Sequence, residues 1–259
     1  MKLKRLDTPE GRFYYYATRK DANLADGSLV LMPSVTTILS RLDSARLQSL
    51  EQEMGAEALA QIGQKAARRG TCMHLFLENY LICMQNTGDN DKSLLYTQKK
   101  TPTDLRNEGL DEEAISNGRS LFYNYIHEGY LDRIRKVLCT EKFVWSLKHR
   151  FSGTLDFAFA DMMMYIVIAD FKSANGIKDD ETVHKYELQT AAYTIAFEEI
   201  YKKKVNRSEL WISGPHGIQE KILGGAEMEE RKAEFIQLCA DFHSEWDAYR
   251  IVEKYYKPS

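Results

Sequence analysis

The chain has 259 residues, 44% of them hydrophobic and 28% charged, and its formal net charge is −3. That length allows a substantial buried core, while the slightly acidic balance excludes a protein held on nucleic acid by its overall field, so any such contact must come from local basic patches. Uninterrupted apolar runs long enough to span a membrane are absent, which excludes an integral helical membrane protein.

Met1-Lys2-Leu3-Lys4-Arg5 leads into Asp7 and Glu10 without an apolar core, which fits neither a signal nor a transit peptide. Cys72, Cys83, Cys139 and Cys239 are far apart and form no Cys-x-x-Cys pair, so they read as reduced thiols rather than ligands of zinc or an iron–sulfur cluster. Both features point to a cytoplasmic setting with no membrane partner.

Residues 12–18 and 28–32 read as two short strands around a polar turn, 19–27, that contains Asp26-Gly27. In the following Pro33-Ser34-Val35-Thr36-Thr37-Ile38-Leu39, Ser34 suits the N-cap of a short helix. From about 45 to 85 the pattern is helical, with a break expected near Gly63 or Gly70. Arg68-Arg69-Gly70-Thr71 then opens a helix in which His74 and Glu78, four residues apart, share a face. Two arginines at a helix start either form a solvated basic pair or receive phosphate together with the free amides. A helical histidine is either an ordinary packed residue or a ligand. Residues 86–110, with Gly88, Pro102, Gly109 and Lys99-Lys100, read as a mobile loop, followed by a helix over 111–128 that continues irregularly towards Lys136.

The stretch from Glu141 to Tyr193 carries the strongest signal. Three β-rich runs, 141–145, 153–159 and 165–173, follow one another, and two of them hold a carboxylate among apolar neighbours. A carboxylate in a buried strand is costly unless a cation or hydrogen-bond donors compensate it. Alternation puts Asp170 and Lys172 on one face with Ile166 and Ile168, and Val167, Ala169 and Phe171 on the other. A hairpin folded about Met163 sets Asp156 opposite Asp170 with Cβ atoms roughly 5 Å apart, a spacing that suits a shared metal. A slip of one residue would separate them. The plainer reading of Asp170 and Lys172 is a buried ion pair.

A linker at 175–180 precedes a helix over 181–203, where Gln189 and Tyr193 lie one turn apart, either packing on the sheet or facing a site. Lys202-Lys203-Lys204 reads as a solvated helix end. Residues 207–213 and 217–223 form a hairpin about Gly214-Pro215-His216-Gly217, and a terminal helix runs from 227 to about 249.

Taken together, His74, Asp156, Asp170-x-Lys172 and Gln189-x-x-x-Tyr193 resemble the RecB-like branch of the PD-(D/E)XK nuclease superfamily. Pro33-Ser34-Val35-Thr36 and Arg69-Gly70-Thr71-x-x-His74 resemble, more narrowly, the mitochondrial genome maintenance exonuclease group and its bacterial and phage relatives. The resemblance spans about residues 30 to 200. It implies an α/β (α+β), restriction-endonuclease-like fold, with a mixed central sheet flanked by helices and a helical arch before the core strands. A single nuclease domain over 1–259 would comprise an N-terminal hairpin and helix start (1–40), a helical region (41–136), a catalytic core (137–225) and a C-terminal helix (226–259).

The resemblance also implies site roles. His74, Asp156, Asp170 and the carbonyl of Phe171 would ligate Mg²⁺ or Mn²⁺, with Asp156, Asp170 and Lys172 catalytic and Lys172 beside the attacking water. Glu141 and Glu78 would support the ligands from behind, and Gln189, Tyr193, Arg69 and Ser34 would contact substrate. Carboxylate oxygens favour Mg²⁺ or Mn²⁺, and an imidazole makes Mn²⁺ more acceptable. Two departures stand out: the cysteines do not match the cluster-bearing relatives, so no iron–sulfur cluster is expected, and the acid of the Asp-x-Lys motif is Asp rather than the more widespread Glu. The expected activity is a metal-dependent DNA exonuclease preferring single strands or free ends, in replication, recombination or repair and alongside proteins of those processes. The alternatives are a structure-specific endonuclease of the same superfamily and an inactive DNA-binding module, the latter disfavoured by the complete ligand set.

Overall fold

The computed structural model describes residues 4–18 and 24–255. The turn expected at 19–27 falls partly outside these residues, as do residues 1–3 and 256–259 of the expected terminal segments. Strands β1 (Lys4–Thr8), β2 (Gly11–Ala17) and β3 (Leu29–Pro33) form an antiparallel meander. The strand β1 escapes sequence reading because Leu6 is its one apolar residue. Ser34 caps α1 (Val35–Leu39) by accepting the Thr37 N–H at 3.0 Å, as its sequence suggests.

A 3₁₀ turn at Ser40–Asp43 leads into α2 (Ser44–Met54) and then α3 (Ala56–Thr87). The expected break near Gly63 or Gly70 does not occur; it falls at Gly55, whose φ of 85° suits a residue without a Cβ. An interior glycine costs a helix only about 1 kcal/mol against alanine. The continuing helix recovers that by burying Cys72, Met73, Phe76, Leu77 and Tyr80.

The loop expected over 86–110 is also corrected. Helix α4 (Asn90–Asn107) occupies it, capped by Asp89, which accepts the Lys92 N–H at 2.9 Å. Its buried face steps through Ser93, Thr97, Thr101 and Leu105, mostly polar positions, so the hydrophobic period of a helix is missing from the sequence. Asn79 of α3 donates to Thr101 at 3.0 Å, satisfying part of that polar face. Helix α5 (Glu112–His127) crosses α3 so closely that a Cβ on Gly118 would lie 2.3 Å from Cys72 Cβ.

After α5 a 3₁₀ turn, Leu131–Arg133, replaces the expected irregular helix, and β4 (Ile134–Ser146) begins before the expected core boundary at 137. With β5 (Phe151–Asp161), β6 (Ile166–Ser173), β7 (Arg207–Gly214) and β8 (Gly217–Gly224) it forms a sheet in the order β4-β5-β6-β7-β8. The β6–β7 pair is parallel, bridged by α6 (Asp180–Tyr201), and the others are antiparallel. The expected single terminal helix is two: α7 (Gly225–Glu245) and α8 (Ala248–Tyr255).

Strand alternation sorts the core onto two faces. Phe157, Phe159, Val167, Ala169, Phe171 and Trp211 meet α3 and α5 through Met73, Phe76, Phe122 and Tyr125. Ala158 and Ile168 meet Leu188, Ala192 and Ala196 of α6 and Phe235 of α7. Helices thus cover both faces of a mixed sheet. Among the described residues no helix is long and apolar enough to cross a membrane.

Candidate active site

The β5–β6 ladder pairs Phe157 with Ala169, Ala158 with Ile168, Phe159 with Val167 and Ala160 with Ile166, a register whose next step sets Asp156 opposite Asp170. Asp161 fixes that register. Its carboxylate accepts the N–H groups of Met163 and Tyr165, both at 2.9 Å, and pairs with Arg207 at 2.6 Å. The methionine-rich turn therefore closes without glycine.

The β4–β5 ladder extends the row. Thr140 pairs with Phe157 and Lys142 with Leu155, which sets Glu141 opposite Asp156. Glu141, Asp156 and Asp170 thus stand in line across three neighbouring strands. Glu141 holds a left-handed φ of 45°, a conformation that costs a non-glycine residue on the order of 1–3 kcal/mol. Flanking ladder pairs on both sides keep it there.

Beyond Phe157 and Ala169 no β5–β6 pairing continues, and Asp156 fills the gap: its Oδ2 accepts the Phe171 N–H at 2.9 Å. His74 approaches from α3, with Nε2 3.0 Å from the Phe171 carbonyl and Nδ1 3.4 Å from Glu141 Oε1 and 3.9 Å from Asp156 Oδ2. Lys172 pairs with Asp170, and its ammonium lies 5.2 Å from the centre of the Tyr186 ring. Gln189 donates to Asp170 Oδ1 at 3.2 Å and to the Tyr193 hydroxyl at 3.0 Å.

Other sequence-chosen residues are placed less directly. Tyr193 is 3% exposed, so its ring is withdrawn from solvent and meets the site through Gln189. Ser34 is equally buried and committed to capping α1. Arg69 pairs with Asn175 while its Nε is buried without a partner. Glu78 is half-buried one helical turn from His74, and burial, then the charge of Glu141, raises its carboxyl pKa. Two neighbours were missed. Tyr186 lies three residues before Gln189 on α6, a spacing that could have flagged it; Asn175 carries no such signal.

The electrostatics of the row are those of crowded, buried acids. Burial raises both Asp156 and Asp170, Asp170 to about 6 despite Lys172 beside it. Burial opposes charge on His74, yet Asp156 and Glu141 outweigh it and lift its pKa to about 9. Burial likewise opposes charge on Lys172, but Asp170 and Asp156 raise it. Three carboxylates, Glu141, Asp156 and Asp170, face one ammonium and one imidazole, a deficit of positive charge.

These residues fit a divalent cation. His74, Glu141 and Asp156 each offer a ligand atom, all within 4.8 Å of one another. The Phe171 carbonyl borders this group through His74. Oxygen donors with one imidazole suit Mg²⁺ or Mn²⁺ better than a soft metal. Glu141, expected only as support, belongs to this trio, whereas the oxygens of Asp170 turn to Lys172 and Gln189. A groove of about 460 Å³ between α3 and α5 brings Lys65, Arg68, Arg69, Asn117 and Asn175 together. Ser173, one residue past Lys172, lies 3.3 Å from where a Cβ on Gly70 of α3 would stand, one residue past Arg69 of the groove.

The sequence profile of the PD-(D/E)XK nuclease superfamily matches residues 34–254. No curated protein matches the chain. Among solved structures it is similar to the protein SSO0001, with 12% identity over 60% of this chain and 70% of that one and a TM-score of 0.34. It is also similar to a candidate exonuclease of Eubacterium rectale, with 12% identity, 64% of this chain and 65% of that chain covered, and a TM-score of 0.38.

Proposed function

The chain belongs to the PD-(D/E)XK nuclease superfamily, and from that premise we propose that it is a Mg²⁺- or Mn²⁺-dependent DNA exonuclease acting on single strands or free ends. It is a nuclease of restriction-endonuclease-like fold, a class that generally uses divalent metal ions. The observation that carries the proposal is the line of Glu141, Asp156 and Asp170 across three strands, met by His74 from one side and Lys172 from the other.

In this reading His74, Glu141, Asp156 and the Phe171 carbonyl would hold the ion, with Asp170 beside them on Lys172 and Gln189. Bound there, a divalent cation supplies positive charge to the phosphate and acidifies water. Asp156 holds the β6 backbone at Phe171, so the carbonyl it presents keeps its direction. The Lys172 ammonium orients the attacking water and stabilises charge developing on the phosphate. Gln189, itself anchored by Tyr193, keeps Asp170 in one rotamer. Lys65 and Arg69 would receive phosphates of the strand along the α3–α5 groove.

Replication, recombination or repair are the settings such an activity serves, with proteins of those processes as partners. The test is cleavage of linear and circular single-stranded DNA by the purified protein with Mg²⁺ or Mn²⁺. Degradation of linear DNA alone is the expected result. Cutting of both forms would replace the exonuclease with an endonuclease, and binding without cutting would leave an inactive module.

A further inference from the structure

The turn joining β4 to β5, residues 147–150, faces the second half of α7 across a cleft of about 360 Å³. Lys148, His149 and Arg150 line it from the turn, and Cys239, His243 and Ser244 from the helix. Among the described residues no carboxylate lines the cleft, on a chain with more acidic than basic residues. Neither Lys148 nor Arg150 has an ion-pair partner among the described residues, unlike Arg133, Arg207 and Lys232.

The turn is held rather than loose. Glu199 of α6 accepts the N–H groups of Leu147 at 2.9 Å and Lys148 at 3.3 Å and the Ser146 hydroxyl. Ser146 accepts the His149 N–H at 3.1 Å, and the Cys239 thiol donates to the His149 carbonyl at 3.1 Å. Arg150 has a left-handed φ of 55°, and its carbonyl accepts the His243 Nε2–H at 3.0 Å. These bonds fix the backbone of the turn, and from it and from α7 Lys148, His149, Arg150 and His243 line one cavity. Burial, then Lys148, lowers the pKa of His149 against the opposing charge of Glu199, and burial, then Arg150, lowers that of His243. An anion in the cleft would meet the Lys148 and Arg150 cations and accept from several donors at once.

We propose that this cleft between the β4–β5 turn and α7 is a phosphate-binding site, separate from the carboxylate row. The phosphate would come either from the backbone of a nucleic-acid strand or from a free mononucleotide. Its assignment to a strand rests on the nuclease reading above; the phosphate site itself does not.

The test follows the imidazole resonances of His149 and His243 in the full-length protein, in EDTA to keep divalent ions from the carboxylate row. Sodium phosphate, thymidine monophosphate and a linear oligodeoxynucleotide are titrated separately. Saturable shifts with at least one ligand are expected, weakened by about ten-fold or more in Lys148→Gln/Arg150→Asn. Asparagine tolerates the left-handed backbone at 150, and Lys148→Glu, an exposed single change, provides a second variant whose binding must weaken as well. Tighter binding of the oligonucleotide identifies a strand, and equal binding of all three identifies free phosphate. No saturable shift with any ligand, or shifts unchanged in both variants, overturns the proposal. A parallel cleavage assay separates the two readings: phosphate binding without nuclease activity removes only the strand assignment.

Discussion

The Phe171 N–H donates to the Asp156 carboxylate at 2.9 Å, so a side chain ties β5 to β6 at the point where their backbone ladder stops. One oxygen of Asp156 thereby serves the fold while the carboxylate as a whole faces His74 and Glu141. The site and the sheet share an atom, and substitutions there should separate the two roles.

Asp156→Asn keeps an acceptor for Phe171 and removes a crowded buried charge. Its melting temperature in EDTA should equal or exceed that of the wild type, while cleavage falls by at least about 100-fold. Wild-type protein should also gain on the order of 2.7 kcal/mol at a Mn²⁺ concentration 100 times the dissociation constant. Thermal melts with and without Mn²⁺ check this, and an equal gain in the Asn variant would remove Asp156 from the metal centre.

Lys172→Met removes the ammonium that Asp170 holds, leaving the trio of His74, Glu141 and Asp156 in place. Mn²⁺ should still bind, measured by calorimetry, while the single-turnover cleavage rate drops by roughly 100- to 1,000-fold. Loss of Mn²⁺ binding with loss of activity would make Lys172 a structural partner of Asp170 instead.

Asp161 offers a pH test outside the site. Burial raises its carboxyl, but the Arg207 hydrogen bond and the turn amides outweigh this and hold it below its ordinary 3.8. A depressed carboxylate contributes stability that is complete above 3.8 and lost as pH falls through the folded value. Asp161→Asn should therefore be less stable than wild type by about 1–3 kcal/mol at pH 7, a gap that narrows as pH falls below 3.8. Urea unfolding at pH 7, 4 and 3 reads it, and a constant gap would show that the ion pair contributes nothing.

Gly118→Ala forces a Cβ to within 2.3 Å of Cys72 Cβ and 2.8 Å of the Met73 backbone nitrogen, so α5 must shift from α3. Helix propensity favours alanine by about 1 kcal/mol, while overpacking costs roughly 1–3 kcal/mol. Net destabilisation in a denaturant melt is expected, and a more stable variant would mean that the helices slide freely.

Much of the site was legible because strand chemistry is local. The apolar alternation of 165–173 and a hairpin about Met163 put Asp156 and Asp170 face to face, the register the β5–β6 ladder has. What remained hidden was the agent of that register, Asp161, whose turn contacts reach Arg207 on a different strand. Helix α4 was hidden for another reason: its buried face is Ser93, Thr97 and Thr101, of which Ser93 donates to the Asp89 carbonyl and Thr101 accepts from Asn79, so no apolar period marks it.

The chain by itself determined the three strands and the helix that brings His74 and, for a hairpin about Met163, the facing of Asp156 and Asp170, since periods of two and of about 3.6 residues are written in neighbouring positions. Only the folded protein decided that Glu141 stands with His74 and Asp156 within reach of one ion, and that Tyr193 is sealed behind Gln189. Those outcomes depend on how far apart the strands splay and how deeply each helix sits on the sheet. Such distances are set by contacts among residues remote in sequence, which no local period records.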